Sequence, residues 1–161
     1  MKFIKSVLPY VVIIIIIILM RSFIVSPAVV SGESMMNTLY DNEIVLVNKI
    51  SLHTKKIERY DLVVVNFRNE KIIKRVIALP NEKIEYRENK LFINDKEIKT
   101  PIKFEETDDF SFKTKDNEYF VMGDNRDDSL DSRVIGSINE DDIKGKVHFV
   151  LFPFNKFGRV K

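Results

Sequence analysis

Three short stretches of this chain combine residue types that can do chemistry together. The first, SGESMMNTL at positions 31–39, sets Ser34 in a glycine-containing segment. A serine hydroxyl attacks carbonyls when a nearby base removes its proton. Gly32 permits an unusual backbone approach, and the Ser34 backbone N–H could face a developing oxyanion. The same pattern also fits a plain turn. The second, KIIKRVIAL at 71–79, puts Lys74 between Ile72 and Val76 on one strand face, with Ile73, Arg75 and Ile77 on the other. At pH 7 only about one free lysine in 2,500 is neutral, so a lysine base needs roughly 4–5 kcal/mol of destabilisation of its charged form. Burial among apolar side chains can supply that. The alternative is an edge-strand lysine that blocks aggregation. The third stretch, GDNRDDSLDSR at 123–133, holds four Asp and two Arg in eleven residues. It fits either a solvated, charged turn or a network of Asp–Arg pairs and hydroxyls that buttresses an active-site wall.

Histidine is the usual partner of a nucleophilic serine. Here His53 lies in the polar stretch SLHTKK and His148 inside an apolar strand, and both read as structural residues. With no cysteine the chain has no disulfide, thiolate metal site or cysteine nucleophile. Two scattered histidines suggest no metal cluster, and no cofactor is expected. The formal net charge of +2, from 26 basic and 24 acidic residues, is too even for a nucleic-acid binder.

The elements that must position these residues follow from hydropathy. Residues 7–20, VLPYVVIIIIIILM, carry no charge, and the apolar stretch from Phe3 to Val25 is long enough to cross a bilayer core needing about 20 residues. A cleaved secretory signal is the alternative, but Arg21 sits where such a segment is usually uncharged. In both cases Lys2 and Lys5 hold the amino terminus in the cytoplasm and the remainder lies outside. The expected organisation is a cytoplasmic tip and transmembrane anchor over 1–25, then an extracellular β-rich domain over 26–161. Strands are expected over 43–50, 61–67, 71–79, 118–123 and 146–152, with a hairpin over 83–94 turning at Glu88-Asn89 and a second tight turn at Asn94-Asp95-Lys96. A turn of helix is expected near Glu140–Ile143. The polar run 101–117 reads as a surface excursion or mobile loop. The fold class is mainly β, an antiparallel barrel or sandwich.

The three stretches together resemble the boxes of type I signal peptidases. SGESMMNTL resembles the serine box, in which Gly-x-Ser-Met precedes Pro-Thr-Leu. KRVIALPNE resembles the lysine box, Lys-Arg-Val-x-Gly-x-Pro-Gly-Asp. GDNRDDSLDSR resembles the Gly-Asp-Asn-Arg-x-x-Ser-x-Asp-Ser-Arg box almost letter for letter. The order and spacing look like the family's, and the small size and single anchor look like the Gram-positive forms. The resemblance implies that Ser34 is the nucleophile and Lys74 the base, with Ser129 near the lysine ammonium and Asp131 and Arg133 as a supporting ion pair. Asp124 and Arg126 join that support. With Gly32 where some members have a serine, only backbone donors remain for the oxyanion. The substrate would lie as a strand beside the strand of Lys74, meeting Met35, Ile73 and Arg75. The implied partners are signal-peptide-bearing preproteins cut after small residues, a phospholipid membrane and the translocation machinery for exported proteins. Three departures stand out: Asn37 for proline, Ala78 for glycine, and Asn81-Glu82 for Gly-Asp. They keep a second reading open, a catalytically weak or inactive relative that binds exported chains or a membrane partner.

Overall fold

The computed structural model describes residues 2–50, 57–100, 102, 104 and 106–160. His53 lies outside the described residues. A helix, α1, runs Lys2–Phe23, and the strand β1, Val25–Val29, follows it directly. Among the described residues no helix is long and apolar enough to cross a membrane. The structure therefore supports a helix at the expected place, and the span itself is not carried by it.

The rest is mainly antiparallel β structure in two sheets, with a further turn of helix, Ser132–Ile135, capped by the Asp131 side chain. The larger sheet is built from β1, β2 (Ile44–Asn48), β11 (Ile143–Phe152), β3 (Leu62–Phe67), β4 (Glu70–Ala78), β9 (Glu118–Met122) and β10 (Ile138–Asn139) in that spatial order, with β12 (Gly158–Arg159) on β11. The smaller runs β7 (Lys96–Glu97), β6 (Lys90–Ile93), β5 (Lys83–Arg87), β8 (Phe110–Lys113). The strands expected from hydropathy are all present, within a few residues at their ends. Three two-residue hairpin turns set the registers: Arg68-Asn69, Glu88-Asn89 and Asn94-Asp95. Each has positive φ at both positions, between 48° and 67°. That is the geometry whose twist matches right-handed strands, and Asn tolerates it better than most residues.

Two expectations change. The run 101–117 is not simply a loop. Phe110–Lys113 pairs with β5, Phe110 stacks on Phe120, and Phe112 packs tilted against the same ring. The aromatic pair at alternate positions supplies the apolar face that the surrounding charges hide in sequence. Near Glu140 the helix is only a 3-10 turn, Glu140–Asp142, capped by the Asn139 side chain.

Strand β4 joins three apolar clusters. Ile73 packs against Met35, Leu39 and Val47; Ile72 and Val76 join Val63, Val65 and Val121; Ile77 and Ala78 meet Ile84 and Phe120. Each such buried aliphatic side chain stabilises the fold by roughly 1.5–3 kcal/mol. The pairing of β4 is uneven. It runs beside β3 along its length, with Val63 opposite Lys74 and Leu62 opposite Arg75, but β9 joins it only from Arg75 onward. Residues 70–74 thus keep one edge open.

Candidate active site

The serine segment folds as a series of turns, and its Ser34 and Met35 line one cleft with Ile72, Ile73 and Lys74 of that edge. Its anchors are Met35 and Leu39, both buried in the first cluster. The Leu39 N–H donates to the Met35 carbonyl at 2.8 Å. This fixes Ser34, which is half-buried, directly over β4. Lys74 is only 3 % exposed, and its Nζ lies 2.6 Å from Ser34 Oγ in a hydrogen bond. Burial lowers the Lys74 pKa from its ordinary value. Asp131 and Asp128 pull it upward, the Arg133 charge opposes them, and Asp124 adds a further pull upward. Burial is the largest of these influences, so the net shift is downward.

Asp131, fully buried, accepts from Arg133 Nε and one terminal nitrogen, each at 2.9 Å, and from the Gly123 N–H at 2.9 Å. Burial alone would raise its carboxyl, but Arg133, Gly123 and the nearby Ser129 hydroxyl together hold it below the usual carboxylate range. Asp124 is held bidentately by Arg75 at 2.8 and 2.7 Å. It also accepts from the Thr38 hydroxyl at 2.5 Å. These charge-assisted pairs are short, as bidentate Arg–carboxylate contacts are.

The 123–133 loop also touches the serine segment itself. The Asn125 N–H donates to the Ser34 carbonyl at 3.1 Å, and its side-chain amide to the Glu33 carbonyl at 3.3 Å. Gly123 is required by close approach. A Cβ there would lie 2.5 Å from the Ser34 carbonyl oxygen and 2.6 Å from Ser129 Cβ, and closer still to the Ser129 hydroxyl. Ser129 Oγ is buried without a well-formed hydrogen bond, and none joins it to Lys74. Ser132 caps the arrangement by accepting from the Val121 N–H of β9 at 3.0 Å.

Ser34, Lys74, Ser129, Asp131 and Arg133 are thus brought together, and Asp124 supports them through Arg75 and Thr38. Arg75 requires a correction. It is 3 % exposed, on the opposite face from Lys74, and its guanidinium is committed to Asp124, Thr38 and the Tyr60 carbonyl. Its side chain is therefore a brace and not a substrate contact. The Gly32 N–H donates to Asp41 at 2.8 Å, and the Ser34 N–H has no acceptor among the described residues. Arg126 sends its side chain away from the dyad, to the Thr107 hydroxyl at 2.9 Å, the Tyr86 hydroxyl at 3.1 Å and the Phe104 ring. Only its carbonyl serves the loop, accepting from Arg133 at 2.7 Å. His148 is exposed on β11. Thr38, Gly123 and Asn125 were missed as site residues, although all three stand inside the motifs already singled out.

Met35 and Ile73 do line a small cleft of about 80 Å³ between residues 29–32 and 71–74. The departures at 78–82 leave the local turn intact. Asn81 adopts φ 64°, and Glu82 accepts from the Leu79 N–H and pairs with Arg59, both at 2.6 Å. No cluster of metal-ligating side chains occurs among the described residues.

Over most of its length the chain is similar to known proteins. The family described as "Signal peptidase, peptidase S26" matches residues 2–152. Signal peptidase I of Bacillus amyloliquefaciens is 38 % identical over 157 residues, covering 89 % of this chain and 85 % of the relative. Signal peptidase IB of Staphylococcus aureus is 37 % identical over 164 residues, covering 89 % and 86 %. The crystal structure of a signal peptidase I from Enterococcus faecalis superposes with a TM-score of 0.52 at 31 % identity, covering 56 % of this chain and 96 % of that one.

Proposed function

This chain belongs to the signal peptidase family, peptidase S26, and from that premise we propose that it removes signal peptides from exported preproteins, cutting after small residues with Ser34 as nucleophile and Lys74 as base. The observation that carries this reading is the 2.6 Å contact between Lys74 Nζ and Ser34 Oγ, made by a lysine buried away from any dedicated carboxylate. Neutral Lys74 accepts the Ser34 proton as Oγ bonds to the scissile carbonyl carbon. The carbonyl oxygen takes the negative charge, and the Ser34 N–H faces it. Collapse breaks the C–N bond, and Lys74 returns its proton to the departing amine. Lys74 then deprotonates a water that hydrolyses the acyl-serine. The substrate's signal-peptide end lies along the open edge of residues 70–74 as an added strand. The narrow cleft between that edge and residues 29–32 favours small side chains.

The amino-terminal segment is the proposed single-pass anchor, with residues 1–25 as cytoplasmic tip and span and 26–161 as the extracellular catalytic domain. Its described side chains from Val7 to Leu19 are apolar and exposed on every side, a pattern suited to lipid. Exposed Phe152, Phe154 and Phe157 supply a further apolar surface. The test is cell-free cleavage of a preprotein by the intact protein and by Ser34→Ala. Cleavage by the intact protein alone supports the reading; cleavage by both, or by neither, overturns it.

A further inference from the structure

A second groove begins where the dyad ends. It lies between β8 and the segment 127–134, has a volume of about 430 Å³, and is lined by Phe110, Phe112 and Phe120 together with Ser111, Ser129 and Val134. That volume falls in the range of ligand-binding clefts. Asp108 stands on one side and Asp127 on the other. The two arginines that reach the groove are already engaged, Arg133 by Asp131 and Arg126 by Thr107 and Tyr86.

Three observations say what lies in it. First, Ser129 belongs both to the groove and to the dyad's surroundings. Its Cβ and the Ser34 carbonyl oxygen crowd the same point beside Gly123, at 2.6 and 2.5 Å. Second, β8 is the last strand of its sheet, so its outer edge has no partner strand among the described residues. An open edge bounding a groove is a template for an extended peptide. Third, the 29–32/71–74 cleft is lined by Ser34 and Lys74 but not by Ser129, and it includes Val29 of β1, the strand that follows α1 directly. An extended substrate lying across Ser34 uses both. The half still tethered in lipid takes the side nearest the helix.

We propose that the groove between β8 and residues 127–134 receives the first residues of the mature chain, on the carboxyl side of the scissile bond, held as an added strand on the β8 edge. This rests on the reaction proposed above. Remote binding of this kind raises kcat/KM of longer substrates, and truncated ones lose it. Two net main-chain hydrogen bonds suffice for about a tenfold gain.

The test uses the full chain in detergent and two peptides with the same residues before the cut. One ends two residues after the scissile bond and the other seven. The expected kcat/KM ratio, long over short, is about tenfold. It falls to within about twofold in Ser111→Trp and in Val134→Trp, which fill the groove from opposite walls. Both positions are exposed, Val134 by 73 %, so neither substitution disturbs the core. Binding of a fluorescent seven-residue mature-side peptide to Ser34→Ala gives a readout independent of turnover. It should weaken in the Ser34→Ala/Val134→Trp double variant. Equal cleavage of both peptides, or a length dependence and binding untouched by either tryptophan, overturns the proposal. Failure to cleave either peptide counts instead against the proposed reaction, and the binding comparison still decides the groove.

Discussion

Two lysines are buried in the larger sheet, and the protein treats them in opposite ways. Lys146 on β11 is 8 % exposed and meets the Asp61 carboxylate at 2.5 Å. Lys74 on β4 is 3 % exposed and meets a hydroxyl. Burial disfavours a charged ammonium unless a carboxylate compensates it. Lys146 has that compensation. At Lys74 each nearby buried carboxylate is claimed by an arginine, Asp131 by Arg133 and Asp124 by Arg75. The Asp/Arg-rich loop therefore does two things at once. It ties the serine segment down, and it keeps its own negative charge from fixing a proton on the lysine.

The largest effect that could break this contrast is loss of the dyad. Ser34→Ala and Lys74→Ala should each lower kcat by about three orders of magnitude or more, and the double variant should be little worse than either alone. Losses that multiply would mean that the two groups act independently. Next comes Gly123→Ala. The added methyl meets the Ser34 carbonyl and Ser129, so the nucleophile must shift, at a cost of about a hundredfold in kcat/KM. Retained activity with unchanged melting would show that the loop does not position Ser34.

Stability should distinguish the lysines by sign. Lys146→Met leaves the Asp61 carboxylate, itself only 18 % exposed, without its cation. It should cost about 2–4 kcal/mol by denaturant unfolding, because a half-broken buried pair is worse than none. Lys74→Met removes an uncompensated buried amine and should raise Tm at pH 7 by about 2–4 °C. A destabilised Lys74→Met would mean that the ammonium is paired in the folded protein.

Much of this contrast was legible in the sequence. Ile72 and Val76 flanking Lys74 announced burial, and the two-residue gaps at Glu88-Asn89 and Asn94-Asp95 announced hairpins. The partner of each charge was not legible, because it depends on packing across the sheet. Arg75 neighbours Lys74 in sequence, yet it faces the other way and reaches Asp124, 49 residues on. Strands β1 and β8 escaped for a different reason. One contains Pro27 and the other lies in a polar run, so each is a strand only because a neighbouring edge pairs with it.

The smallest effect is also the most diagnostic, the pH at which the enzyme switches on. Protonated Lys74 cannot accept the Ser34 proton, so activity must rise as pH climbs through the Lys74 pKa. Burial lowers that pKa, so the midpoint should fall below the ordinary lysine value of about 10.4. Stability follows the same sign. Between the lowered pKa and the ordinary one, the unfolded chain holds a proton that the folded chain lacks, so this group's contribution grows as pH rises. Arg133 adds to the lowering and also occupies Asp131. Arg133→Met should remove both influences, leave Asp131 free to favour the ammonium, and move the midpoint of kcat/KM upward by about one unit. The control is Lys146→Met, which alters stability but has no hydrogen bond to the dyad, and its midpoint should stay in place. Cleavage rates of a peptide from pH 6 to 10 for the three proteins decide the matter. A flat profile in the unsubstituted protein argues against lysine as the base. An unmoved midpoint in Arg133→Met would mean that burial alone sets the Lys74 pKa and that the arginine only holds the loop.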